Sequence, residues 1–389
     1  MMSGDFLAGD GEIQWNGTFS TYREILEKDM VAENGVATAT WIQAYRAINT
    51  ANNVLSAVDV VDAADRDQVR GEALFLRGIM YFELVRLYAQ AWDADGANSG
   101  PGVPLVLEPT RAITEADNVS RASIAEVYAQ IIADLTEAKN LLPESNGVLA
   151  NTFTGSGFLA RVYLQQSNFT SALTEANRVI ESGEYELNDD VTEAFFTNNS
   201  AEIIFEIQQN EQNNAGQTNN GIATFYLNVP GQGRADVEVL PAHTALYNPA
   251  DTRLTDLIYA GTGTRRPGRL SSAKWNDPTK NYSIMRLAEM YLIRAEANFR
   301  LGSTTGSAPL DDINTLRSRA NAPLLTNLTL DDIILERRLE LAFEGHRVHD
   351  VKRLKGMTGS FNFDAPALVF PIPRREINAN PNIAQNPGY

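Results

Sequence analysis

FLARVYLQQSNFTSALTEANRVIESGEYEL, residues 158–187, alternates small and large apolar side chains through two short runs joined by a polar turn. Ala160, Tyr163 and Leu164 recur at helical spacing in the first run, and Phe169, Ala172, Leu173 and Ala176 in the second. The spacing predicts helices over 156–166 and 171–181, packed as an antiparallel pair. The same alternation returns in YSIMRLAEMYLIRAEANFRLG, 282–302, ahead of a helix opened by Pro309, Asp311 and Asp312. One helix-pair unit that recurs predicts a superhelix in which each pair buries its face on the next.

Working outward, the segment 65–90 carries Val69, Ala73, Leu76, Met80, Leu84 and Leu87 at steps of three and four. A second stripe, Leu74, Tyr81, Val85 and Tyr88, widens the apolar face enough for burial between two neighbours. Gly71 and Gly78 lie where another helix can approach closely, and a further helix is predicted over 123–142. Residues 1–38 read as loop with one short helix near 22–30. Residues 185–280 are rich in Asn, Gln, Gly, Thr and Pro, with strand-like runs at 203–208 and 224–229. The expected fold is all-α: a tetratricopeptide-like helix-pair superhelix with a large irregular, minor-β segment packed on one side. The expected organisation is a single domain, 1–389, with a scaffold at 41–182 and 282–356 and an irregular, ligand-side insertion at 185–280.

Lys and Arg number 32 against 49 Asp and Glu, a net charge of −17 over 389 residues. A field of that sign repels polyanions, so nucleic acid is not an expected partner. There is no cysteine, which removes disulfides, thiolate metal sites and thiol catalysis together. No apolar run reaches the length of a membrane helix. The opening MMSGDFLAGDGEIQW has neither the basic nor the apolar region of a signal peptide, and reads like a cut inside a longer chain.

Two carboxyl-terminal stretches carry a resemblance. LERRLELAFEGHRVHDVKRLKG (335–356) resembles the E-R-R-x-E-L-x-F-E-G-x-R-x-x-D-x-x-R signature of the SusD/RagB family of Bacteroidetes outer-membrane lipoproteins. PIPRREINANPNIAQNPGY (371–389) is similar to that family's closing motif. WIQAYRAINTANNVL (41–55), EALFLRGIMYFELVRLYA (72–89) and GVPLV (102–106) are similar to its first repeat pair and the turn after it. The resemblance implies a lipid-anchored protein on the outer face of the outer membrane. Such a protein captures a glycan, without turnover or cofactor, and delivers it to a SusC-like TonB-dependent transporter. The family's acylated cysteine is missing here, so the anchor is implied by the resemblance alone. The competing reading is a tetratricopeptide-type scaffold that binds a peptide partner.

The signature reads as architecture. Glu336, Arg337, Arg338, Glu340 and Glu344 are spaced for i,i+3 and i,i+4 pairing on one helix, and Arg347 for pairing with Asp350. His346 and His349 fall inside it and make a metal site improbable without further ligands; His243 is isolated. Asp311-Asp312 and Asp331-Asp332 read as helix caps, and Gly261-Thr-Gly263 lacks the strand and helix of a phosphate loop. No catalytic residue is expected. Trp41 reads as core, whereas Trp15, Trp92 and Trp275 fall in polar loops. A loop tryptophan beside amides and carboxylates suits a saccharide, because the ring covers the sugar's apolar face while its neighbours bond the hydroxyls. The candidate glycan contacts are therefore Trp275 with Asn276, Trp15 with Asn16 and Asp10, and Trp92, with Tyr226, Arg265 and Arg266 as weaker companions.

Overall fold

The computed structural model describes residues 1–112, 114–214 and 221–389; residues 215–220 of the expected insertion lie outside these. The chain forms two compact units. One comprises Glu27–Asn168 with His349–Tyr389, and the other Met1–Leu26 with Phe169–Val348.

Four long helices build the unit holding Glu27–Asn168: α1 (Gly35–Ser56), α2 (Arg66–Tyr88), α3 (Ile124–Leu141) and α4 (Thr152–Gln165). Each packs on the next. Side chains cap the first turns of α1, α3 and α4. Asn34 accepts from the amides of Val36 and Ala37, Ser123 with Glu126 forms a capping box, and so does Asn151 with Thr154. In α2 the stripe Leu74, Tyr81, Val85 and Tyr88 is buried as expected, but Leu76 is 45% exposed. It lies about 200° around the helix from Leu74 and faces away from both neighbours. Gly71 and Gly78 do admit close approach: a Cβ on Gly78 would come 3.0 Å from the Leu135 side chain of α3. Beside that contact Arg77 makes two 2.8 Å hydrogen bonds to the buried carboxylate of Asp134 and fastens α2 to α3.

The other unit contains α5 (Phe169–Ile180), α6 (Leu287–Leu301), α7 (Pro309–Arg319) and α8 (Leu330–Glu340). Helix α6 is central and packs on the other three. Ala288, Leu292, Ala295, Ile313, Leu316 and Ile333 close a dry core between α6, α7 and α8. Gly302, at φ +63°, ends α6 in the left-handed conformation that glycine adopts without strain. The first residues of 282–302 are not helical. Tyr282–Arg286 is a strand antiparallel to Ile203–Ile207, because its alternation also has period two and a partner strand is present to satisfy it. The run 224–229 is likewise not a strand: Ile222–Tyr226 forms a short helix. Two further two-stranded ladders, Ile13–Trp15 with Val237–Val239 and Ile258–Ala260 with Leu270–Ser272, complete the minor β content of this unit.

The signature helix stops earlier than its spacing suggests. Helix α8 ends at Glu340, Phe343 takes φ +65°, and Gly345 at +85° turns the chain away. Glu336, Arg338, Glu340 and Glu344 have partners outside the helix. They reach across to other segments, because the side chains point into the unit where arginines from the irregular segment and α7 arrive. Arg253 contacts Asp251 at 2.7 Å, Glu336 at 2.5 Å and Glu340 at 2.9 Å. Arg286 contacts Glu202 at 2.8 Å, Glu340 at 2.6 Å and Glu344 at 2.9 Å. Arg319 bridges Glu202 and Glu340, Arg317 holds Glu336, and Lys274 holds Glu344. Cations and carboxylates are equal in number, so this buried network is neutral as a whole. Arg338 pairs with Glu12, Arg347 also lies 3.6 Å from Glu12, and Asp350 pairs with Arg353.

The network carries a pH prediction. Burial pushes Glu340 and Glu344 up from their ordinary 4.5, but the guanidiniums around Glu340, and Arg286 with Lys274 at Glu344, outweigh it and hold both below. Glu12 is likewise raised by burial, yet hydrogen bonds to His243 and Arg338 bring it to about 2. Carboxyls depressed in the folded state stabilise above their unfolded value and lose that contribution as pH falls through the folded one. Stability should therefore drop between pH 4.5 and about 2, with Glu12 alone contributing on the order of 3 kcal/mol. Urea midpoints measured at pH 6, 4 and 3 check this, and a flat profile would contradict it. Asp5, raised by burial to about 7, titrates above this window.

Candidate functional site

The structure places the loop tryptophans differently from their sequence context. Trp275 is 3% exposed. Its indole N–H donates to the Phe343 carbonyl at 3.0 Å, and Tyr282 meets its ring edge-on at 5.7 Å. It pins the irregular segment to the end of α8 and is not a surface platform; the neighbouring polar residues hid a non-local apolar pocket. Asn276 beside it is half-buried. Trp15 is 5% exposed, because strand pairing with Val237 turns its ring inward onto Phe6, Tyr22 and Phe225. Tyr226 is fully buried against Phe343. Trp92 is half-buried, edge-on to Tyr128 at 5.0 Å. Asp10 and Arg265 are exposed. Of the candidates, the structure brings Trp15, Asn16 and Arg266 together: Arg266 donates to the Asn16 carbonyl and to Asp236 at 2.7 Å.

A concave site lies elsewhere, on α1. Trp41, Tyr45 and Asn49 follow one another every four residues, so a helix sets them on one face. Opposite stand Pro104 and Val106, the stretch bearing Thr110, Asp117 and Val119, and the tail with Arg375, Glu376, Asn380 and Ile383. Together they enclose about 350 Å³, within the range that takes a small ligand. Trp41 and Tyr45 form the floor, their rings 4.9 Å apart and tilted by 44°. Trp41 is core as expected, at 3% exposure, and yet lines the groove.

Polar groups fix the walls. Tyr45 donates to the Pro104 carbonyl at 2.8 Å, and burial pushes its hydroxyl well above its usual value, so it acts as a neutral phenol. Asn49 accepts from the Thr110 amide at 2.9 Å, and Asn380 donates to the Val119 carbonyl at 2.9 Å. At the rim, Arg46 is exposed, Arg375 has 66% of its side chain exposed, and Arg375 contacts Glu376 at 3.0 Å. Thr114 bonds the Asp117 carboxyl and holds it below its usual value. The arrangement offers an apolar floor surrounded by amide, carboxylate and guanidinium groups. Among the described residues no group of three or more His, Cys, Asp or Glu is placed to hold a metal. His243 instead bonds Glu12 at 2.9 Å, and His346 lies 3.9 Å from Glu289.

Sequence reading missed Tyr45, Asn49, Arg375 and Asn380. The W-x-x-x-Y-x-x-x-N spacing was legible as one helix face. Part of its facing wall comes from a tail more than 300 positions away, which no local pattern could supply.

Two family models match the chain. One, described as starch-binding and associating with the outer membrane, covers residues 12–164, and the other, described as the SusD family, covers residues 270–366. SusD-like protein P2 of Formosa agariphila is 28% identical, over 98% of this chain and 87% of that protein. The starch-binding protein SusD of Bacteroides thetaiotaomicron is 26% identical, over 87% of this chain and 76% of that protein. A crystal structure of a SusD superfamily protein from the same organism superposes with a TM-score of 0.86 at 25% identity, covering 99% of this chain and 94% of that one. A SusD-like carbohydrate binding protein from Bacteroides vulgatus gives a TM-score of 0.84 at 23% identity, over 98% and 91%.

Proposed function

We propose, on the premise that the chain belongs to the SusD/RagB family, that it binds a glycan without cleaving it and passes it to a SusC-like TonB-dependent transporter. The reading includes a lipid anchor that holds it on the outer face of the outer membrane. A relative that binds starch and a family description of starch-binding at the outer membrane support it. The observation that carries it is the groove on α1. Aromatic rings floor a cavity of sugar-accepting size, and its rim alternates donors and acceptors.

The prediction is direct. Tyr45→Ala should weaken glycan binding by roughly 2 kcal/mol, as loss of an aromatic anchor does, whereas Tyr45→Phe should keep most of it. Calorimetric titration of each variant beside a thermal melt separates lost contact from lost fold. A Tyr45→Ala variant that stays folded and binds normally would remove the groove from the mechanism. Chain-length analysis of the glycan after long incubation should show no shortened product; shortening would make the protein an enzyme.

A further inference from the structure

We infer that the arginine-rich face built on the Ile13–Trp15 and Val237–Val239 ladder recognises acidic substituents, sulfate or uronate carboxylate, so that the glycan taken is an anionic one. This rests on the glycan reading and narrows it.

The face is assembled from three segments of one unit. Arg266 donates to Asp236 at 2.7 Å and to the carbonyls of Arg234, at 3.0 Å, and Ala235, at 2.7 Å. Arg234 donates to the same Asp236 at 2.7 Å and to the Thr18 hydroxyl at 3.2 Å, and its guanidinium lies 4.6 Å from the centre of the Phe19 ring. Arg269 contacts Glu238 at 2.7 Å, and Glu238 also accepts from the Asn16 amide at 2.9 Å. Arg23 donates to the Gly17 carbonyl at 3.1 Å.

Three guanidiniums thus meet two carboxylates, and Arg23 and Arg265, both exposed beside them, add further positive charge. Asp236 is 1% exposed and shared by two arginines, so neither is fully neutralised. Arg269 keeps 42% of its side chain in solvent, where its remaining N–H groups can reach a ligand. A planar guanidinium matches the oxygens of sulfate or carboxylate through paired hydrogen bonds, and one that stacks on a ring is already oriented. The surrounding chain sharpens the argument. A molecule of net charge −17 repels polyanions in general. Local cationic excess on such a background is a device for admitting an anion at this face. The hydroxyl of Thr18 and the amide of Asn16 stand beside the guanidiniums, as hydroxylated sugar rings require.

The test uses two matched polysaccharide pairs: homogalacturonan with and without full methyl-esterification, and a sulfated galactan with and without its sulfate groups. Titration of the whole chain should show at least tenfold tighter binding to the charged member of one pair, and the pair preferred distinguishes carboxylate from sulfate. That preference should shrink between 50 and 500 mM salt. The double variant Arg265→Gln, Arg269→Gln should lose it at least tenfold with an unchanged melting temperature, since both side chains lie at the surface. Equal binding of charged and uncharged members, or a double variant that retains the preference, would overturn the inference. Binding of neutral glycans alone would overturn it too while leaving the glycan reading intact. Failure to bind any member of either pair or any neutral glycan would overturn both.

Discussion

Replacing Arg286 by methionine is expected to cost about 3–5 kcal/mol, enough to unfold a marginal chain, because it leaves buried carboxylates without their shared cation. Arg286 holds Glu202, Glu340 and Glu344 together and also donates to the Glu340 carbonyl at 2.7 Å. Arg319 and Lys274 remain near these acids, but the network then carries one uncompensated negative charge in a dry site. The paired change Arg286→Met with Glu344→Gln restores the balance and should recover part of the loss. Urea unfolding of single and double variants measures both effects. A single-variant loss below about 1 kcal/mol would mean that water reaches these groups.

Trp275→Ala should cost about 3–5 kcal/mol, the range for emptying an aromatic site in a packed interior. The Phe343 carbonyl also loses its donor, where the backbone already holds φ +65°. Trp275→Phe should cost less, since it keeps a ring against Tyr282 and Phe195. Protein that remains folded should bind glycan normally. A variant of normal stability that no longer binds would return Trp275 to the ligand surface.

These expectations reverse the sequence reading of Trp275, and the reason is instructive. The helices were legible because their apolar spacing is local: α2, α3 and α4 lie where periodicity placed them, and Gly71 and Gly78 mark a real close approach. Trp275 was misread because its burial depends on Phe195, Tyr282 and Phe343, none of them adjacent in sequence. The strand Tyr282–Arg286 was read as helix for the same reason, since a five-residue run fits either period until a partner strand decides. The signature of 335–356 reads as architecture, but its spacing did not reveal partners as distant as Glu12, 326 positions from Arg338. In the groove, one wall could be read from α1 and the other could not.

Both units are discontinuous in the chain. Met1–Leu26 closes onto Phe169–Val348, and Glu27–Asn168 onto His349–Tyr389. The strand Ile13–Trp15 must wait for Val237–Val239, and Glu12 for Arg338. During synthesis the helices of Glu27–Asn168 emerge before His349–Tyr389, and the strand Ile13–Trp15 before its partner Val237–Val239. Native contacts of such long separation close slowly, because the loop must be brought together before the contact rewards it. The consequence is temporal: neither unit can close before the later of its two segments has been made.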